Sequence, residues 1–295
     1  MVVAGIGDDC AVLRVPPGHE FLVTTDFSLE NVHFRREWHP PQVVGWRCLT
    51  RGLSDIAAVG GEPLAAFLSL ALPRRIPQKW VDGFLDGLLA LATKFRVTLA
   101  GGDVAQSSGG VLADIVVVGS VPRGKAILRS GARPGDRIYV TGQLGGGAAA
   151  LAALRRGRKT GSEFERYFRP EPRLAMGQWL RKHAIASAMI DLSDGLSTDL
   201  GHICEESGVG AVVEASAIPL AKIGRRGATA ELRFGLHGGD DYELLFTAAD
   251  EIPAKLGGVA ITRIGEVVSR RGVTFVDPEG RKRKLAPGGW EHFQK

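Results

Sequence analysis

Trp80-Val81-Asp82-Gly83-Phe84-Leu85-Asp86-Gly87-Leu88-Leu89-Ala90-Leu91-Ala92-Thr93-Lys94-Phe95-Arg96-Val97-Thr98-Leu99-Ala100-Gly101-Gly102-Asp103 is the stretch that decides the fold class. In its first half Trp80, Phe84, Leu88, Leu91 and Phe95 recur at helical spacing, with Asp82, Asp86 and Lys94 off the stripe. Such a stripe is the mark of an amphipathic helix lying on a core. Val97-Thr98-Leu99-Ala100 follows as a strand, expected to stop at Gly101-Gly102-Asp103. A helix feeding directly into a buried strand is the building unit of a mixed α/β chain.

The pattern repeats on both sides of this stretch. Phe21-Leu22-Val23 reads as a short strand running into Thr24-Thr25-Asp26, and Val43, Trp46, Leu49, Leu53 and Ile56 predict a helix over residues 41–59. Ile115 to Val118 reads as another strand. Gly, Pro, Arg and Lys then cluster from Pro122 to Pro134, which places a boundary there and predicts domains of residues 1–121 and 122–295. Beyond it, Arg137-Ile138-Tyr139-Val140 predicts a strand, followed by a Gly-rich turn and an Ala/Leu helix to about Leu154. Met189-Ile190 leads into Asp191-Leu192-Ser193-Asp194-Gly195 and a helix with Leu196, Leu200 and Ile203 inward, with Gly208 as its stop. Tyr242 to Phe246, Ile261 to Val268 and Val273 to Val276 read as strands. The predicted class is α/β (α+β).

Composition removes several function classes. No window approaches the roughly 18 consecutive apolar residues of a membrane span, and the first residues lack the basic and apolar regions of a secretory leader. Cys10, Cys48 and Cys204 are widely spaced and form no Cys-x-x-Cys pair, so neither a disulfide framework nor a zinc site is expected, and a cytoplasmic location is. A net charge of +5 suits anionic substrates without requiring them. Arg281-Lys282-Arg283-Lys284 follows a hairpin turn and reads as a solvated edge, because no nucleic-acid module accompanies it.

Carboxylates recur beside small residues at the ends of apolar segments. They lie in Gly7-Asp8-Asp9, Thr24-Thr25-Asp26, Ser54-Asp55, Gly102-Asp103, Asp191-Leu192-Ser193-Asp194-Gly195 and Gly239-Asp240-Asp241. Short carboxylates, hydroxyls and glycine amides are what magnesium with polyphosphate requires. The same residues also build turns and helix caps, so any one motif alone favours structure over chemistry. Together, several of them directly after a buried strand, they shift the balance toward a shared acidic site. Thr141-Gly142-Gln143-Leu144-Gly145-Gly146-Gly147 lacks the Lys-Ser/Thr of a phosphate-binding P-loop and reads as a structural turn.

Taken in order, Gly5-Ile6-Gly7-Asp8-Asp9, Thr24-Thr25-Asp26, His33-Phe34, Leu53-Ser54-Asp55-Ile56-Ala57-Ala58, Gly101-Gly102-Asp103, Arg129-Ser130-Gly131-Ala132, Pro134-Gly135-Asp136, Asp191-Leu192-Ser193-Asp194-Gly195-Leu196 and Gly238-Gly239-Asp240-Asp241-Tyr242-Glu243-Leu244-Leu245-Phe246 resemble the thiamine-monophosphate kinase family. That family sits in the aminoimidazole ribonucleotide synthetase (AIR synthetase-like) superfamily. The resemblance implies a two-domain fold whose N-terminal domains join between subunits of a homodimer as a β-barrel. It implies phosphoryl transfer from ATP to thiamine monophosphate with several Mg2+ ions. It further implies Asp9, Thr24, Thr25, Asp26, Asp55, Asp103, Asp191 and Asp194 as magnesium ligands. Gly102, Asp103, Arg129 and Ser193 would contact ATP, and His33, Asp240 and Trp290 would contact thiamine monophosphate. No general base is expected, because the attacking phosphate oxygen is already anionic near neutral pH. Another ATP-using enzyme of the superfamily is the alternative, and a basic nucleic-acid-binding or regulatory protein a remote one. Asp240 stands where the family usually has Glu, Asn31 where Gly is common, and Val104-Ala105-Gln106 where Thr and Arg are usual.

Overall fold

The computed structural model describes residues 1–7, 9–158, 164–223 and 228–290, so Asp8 of the first acidic motif lies outside the described residues. The chain divides into two compact units, Met1–Ile56 with Gly61–Ala126, and Ala57–Gly60 with Ile127–Lys295.

The first unit carries β1 (Val2–Ala4), β2 (Val12–Leu13), β3 (His19–Leu29), α1 (Pro41–Ala58), β4 (Glu62–Pro73), α2 (Gln78–Phe95), β5 (Thr98–Ser107) and β6 (Leu112–Pro122). Four of these strands form one sheet in the order β3-β6-β4-β5. β4 and β5 run parallel because α2 carries the chain back between them, whereas β6 pairs antiparallel with β4 and with β3. The middle of the predicted α2 stripe is buried: Phe84, Leu88 and Leu91 are fully inaccessible. Burial of each is worth about 1.5–3 kcal/mol.

α1 and α2 approach backbone to backbone through glycine. A Cβ on Gly45 would lie 1.9 Å from the Phe84 carbonyl oxygen, and one on Gly87 would lie 1.9 Å from that of Gln42. A helical Gly→Ala change ordinarily gains about 1 kcal/mol in propensity. Here the overlap dominates, and Gly87→Ala is expected to destabilise the protein by about 2–3 kcal/mol. A urea midpoint equal to or above that of the wild type would contradict this close packing.

Both strands expected from short apolar runs are longer than their runs. β3 continues through Thr24-Thr25-Asp26, and β5 does not stop at Gly101-Gly102-Asp103 but passes through it. Gly102 makes the continuation possible. Its φ is +150°, and a Cβ there would lie 2.0 Å from the Leu68 carbonyl oxygen on β4. Asn31 adopts φ +69°, a left-handed conformation that Asn tolerates better than most residues, so it occupies this glycine-like position with little strain.

The second unit contains β7 (Arg137–Thr141), α3 (Gly146–Arg155), α4 (Glu165–Phe168), α5 (Leu174–Lys182), β8 (Ala188–Asp191), α6 (Leu196–Ser207), β9 (Gly210–Glu214), β10 (Lys222–Ile223), β11 (Ala228–Thr229), α7 (Leu232–His237), β12 (Leu244–Ala248), β13 (Lys255–Leu256), β14 (Val259–Val268), β15 (Gly272–Val276) and β16 (Lys282–Lys284). Its main sheet runs β16-β15-β9-β14-β7-β12-β8, antiparallel except where β15 meets β9. Leu196, Leu200 and Ile203 of α6 pack with Ile138, Val140, Ile190 and Leu245 of the sheet in one apolar core. Gly208 ends α6 in the left-handed conformation, with its N–H bonded to the last turn. Tyr242 lies outside the strand predicted for residues 242–246. It precedes β12 with φ +51°, and its N–H turns to the Leu192 carbonyl instead of a ladder partner.

Cys204 packs in this core, where burial pushes its thiol up to about 11. Cys10, by contrast, is exposed. Arg281, just before the edge strand β16, and Arg283 within it both pair with Asp277, and the whole strand is exposed, which makes the basic run a solvated turn and edge. Among the described residues no helix is long and apolar enough to cross a membrane.

Candidate active site

The pleat of the first sheet sorts the acidic residues. Directly opposed residues of paired strands project to the same face, and successive residues to opposite faces. Thr24 and Asp26 lie opposite Val117 and Ile115, the β6 residues on which Gly52 of α1 packs. They therefore face α1, where the Thr24 hydroxyl donates to the Asp55 carboxylate and Arg51 stands 3.7 Å from Asp26. Thr25 projects to the other face, and its hydroxyl donates to Asp114 at 2.7 Å. Asp114 opposes Ser69 on β4, and Ser69 opposes Asp103 on β5. Asp103 therefore shares the outward face with Thr25 and Asp114.

The Thr-Thr-Asp motif is thus divided: Thr24 and Asp26 join Asp55, while Thr25 joins Asp114, and Asp103 lies on that same outward face but at the opposite edge of the sheet. Asp9 and Asp103 meet again in a cleft of about 620 Å³ lined by residues 5–7 and 9–11 and by Gly101, Gly102 and Val104. Sequence reasoning missed Asp114. Its signal is a lone carboxylate in the apolar strand Leu112-Ala113-Asp114-Ile115-Val116-Val117-Val118. His33 lies after β3 and accepts the Leu29 N–H on Nδ1 at 3.0 Å. That bond fixes the tautomer and leaves Nε2 as the protonated ring nitrogen.

In the second unit, Asp191 ends β8 and is buried, and the chain turns through Leu192-Ser193-Asp194-Gly195 into α6. Asp199 accepts the N–H groups of Gly195 at 2.9 Å and Asp194 at 3.3 Å. Burial pushes its carboxyl up to about 8, reinforced by the charges of Asp191 and Asp194. Two distant segments close on this turn. The Asp240 N–H donates to the Ser193 carbonyl at 2.9 Å, and the Trp290 N–H to the Asp194 carbonyl at 3.2 Å. Ser193, Asp194, Asp240 and Trp290 are thereby brought together. Arg129, an exposed residue of this unit, is anchored through its carbonyl, which accepts the Ser207 hydroxyl at 3.0 Å.

The Gly-rich loop has its amides already engaged. Asp241 accepts the Gly145 N–H at 2.7 Å and the Gly147 N–H at 3.4 Å, so the donors that a phosphate would need are bonded to a carboxylate of the chain. Burial raises the Asp241 carboxyl to about 7, against the lowering effect of these two bonds. Glu243 is buried and accepts Arg173 Nε and Nη2 at 2.6 Å each, Arg166 at 2.5 Å and the Thr141 hydroxyl at 2.7 Å. Among the described residues no group of three or more His, Cys, Asp or Glu side chains is arranged to hold a metal.

Comparison with known proteins sets this geometry in a family. Residues 7–121 match the model of AIR synthase related protein, N-terminal domain, and residues 133–278 that of the corresponding C-terminal domain. A thiamine-monophosphate kinase of Salmonella typhimurium is 38% identical, across 99% of this chain and 92% of that protein. The chain belongs to the thiamine-monophosphate kinase family. A solved thiamine-monophosphate kinase from Stenotrophomonas maltophilia is 36% identical, covers 97% of this chain and 92% of its own, and superposes with a TM-score of 0.84. AaThiL, solved in complex with AMPPCP and TMP, is 30% identical with a TM-score of 0.82, covering 95% of this chain and 89% of its own. The mixed α/β architecture described above is therefore the two-domain fold of thiamine-monophosphate kinases.

Proposed function

We propose that this protein transfers the γ-phosphoryl group of ATP to the phosphate of thiamine monophosphate, releasing thiamine diphosphate and ADP. A phosphate oxygen of the acceptor bonds to the γ-phosphorus as the bond to the β-bridging oxygen breaks. The observation that carries the reading is the closure of Asp240 and Trp290 onto Ser193-Asp194, which joins the residues read as substrate-facing to those read as nucleotide-facing. A relative solved with an ATP analogue and TMP supports the same pairing of ligands.

The donor set fits magnesium. Asp55 with Thr24 and Asp26 forms one group of hard oxygens, and Asp103 with Asp9 offers a second. Magnesium binds through one or two carboxylates, keeping waters and substrate phosphates as its other ligands, so separate small groups suit several ions better than a closed cage. Asp191 and Asp194 complete the proposed ligands. Bound magnesium would neutralise the phosphates and favour in-line geometry. The chain's own contribution is to orient: Gly102, Asp103, Arg129 and Ser193 toward ATP, and His33 through its Nε2–H toward the substrate. Trp290 offers an indole face suited to an electron-poor pyrimidine or a cationic thiazolium.

The reading includes a homodimer in the cytoplasm. Phe21, Val23 and Phe27 project from the outward face of β3 and are 48%, 64% and 51% exposed. Such an apolar strip on a sheet face is what a subunit interface would cover. Sedimentation is expected to show a dimer that Val23→Glu dissociates; a wild-type monomer would contradict it. Three free cysteines suit a reducing compartment.

One assay tests the function. Purified protein with ATP, magnesium and thiamine monophosphate is expected to form thiamine diphosphate and ADP together, whereas thiamine and formylglycinamidine ribonucleotide give no product. Turnover of formylglycinamidine ribonucleotide alone would sink the assignment.

A further inference from the structure

The segment Gly239–Glu243 is held in a conformation that its side chains do not favour. Asp240 has φ +66° and Tyr242 φ +51°, both in the left-handed region that costs non-glycine residues energy. Three consecutive residues hold it there. Asp240 N–H bonds to Ser193, the Asp241 carboxylate to Gly145 and Gly147, and Tyr242 N–H to Leu192. The result of this arrangement is that the Tyr242 ring, 2% exposed, reaches back two residues and its hydroxyl donates to Asp240 Oδ1 at 2.7 Å.

We propose that Tyr242 is a positioning residue for the substrate, acting through Asp240 by fixing the direction of its carboxylate. This rests on the kinase reading, in which Asp240 meets thiamine monophosphate. Aspartate is one methylene shorter than the glutamate usual at this position, so its reach depends more heavily on how the carboxylate is aimed. A hydroxyl donating to one oxygen removes rotation about the last bond. Backbone strain held by several independent bonds is characteristic of sites where side-chain direction matters more than local comfort.

Tyr242→Phe removes one oxygen and keeps the ring. It is expected to lower kcat/KM for thiamine monophosphate roughly tenfold, the usual scale for a hydrogen bond to a charged group. The loss should fall on KM for that substrate, with KM for ATP unchanged. In an Asp240→Ala background the same change should have no further effect, since residues acting as one unit are not additive. A spectroscopic readout is independent of activity. The chain has three tyrosines, and ultraviolet titration should show one phenol ionising at lower pH in Asp240→Ala than in the wild type, because a carboxylate partner favours the protonated phenol. That comparison needs no Tyr242 variant, so it stands even where Tyr242→Phe fails to fold. Equal Tyr242→Phe losses in both backgrounds, or an unchanged phenol titration, would overturn the role. A wild type without thiamine monophosphate turnover would instead overturn the kinase reading, and this role with it.

Discussion

Asp55→Asn is expected to lower turnover of thiamine monophosphate by roughly 10³ while the protein remains folded. Asp55 sits on α1 and accepts the Thr24 hydroxyl. Asparagine has the same shape and keeps an oxygen acceptor for that hydroxyl, so the helix and β3 stay in place. What disappears is the negative charge, and a neutral amide would be a poorer ligand than a carboxylate for a magnesium ion. The loss should appear in kcat and in the magnesium dependence together, with an unaltered circular dichroism spectrum and melting temperature. Unchanged turnover and unchanged magnesium dependence in a folded variant would remove Asp55 from the proposed metal set.

The second large effect concerns stability. Glu243 has 2% of its side chain exposed and binds Arg173, Arg166 and Thr141 at once. Glu243→Ala would leave the Arg173 guanidinium, 16% exposed, without its bidentate carboxylate. Breaking a buried pair by removing one partner costs about 3–5 kcal/mol, chiefly from the orphaned charge. Arg166, 57% exposed, contributes less because water screens it. The double variant Glu243→Leu with Arg173→Met should recover much of the loss, since it buries no unpaired ion. Equilibrium urea unfolding distinguishes the cases. A double variant no better than Glu243→Ala would mean that shape, not charge, sets the cost.

Much of the fold was legible. The stripe from Trp80 to Phe95, the strand after it, and the stop of α6 at Gly208 all rest on local periodicity and capping, which survive in the folded protein. Strand ends were not legible. β5 passes through Gly101-Gly102-Asp103 because the Leu68 carbonyl approaches Gly102 closely, and no local signal reports a neighbour on another strand. Tyr242 was read as a strand residue because its side chain is apolar enough for one; its bond to Leu192, far away in sequence, decided otherwise. Asp114 was missed for the same reason, since a single acid in an apolar run identifies no partner.

The sequence by itself determined the mixed α/β class, the order of the acidic motifs and the family to which they belong, because these depend on residue type and spacing along the chain. Only the tertiary structure decided how the motifs divide. Within Thr24-Thr25-Asp26, the pleat sends Thr24 and Asp26 toward Asp55 and Thr25 toward Asp114, and that sorting exists only once the register of β3 against β6 is set. It likewise decided that Asp240 and Trp290 share the Ser193-Asp194 turn, because the hydrogen bonds that join them form between backbone groups that any residue carries.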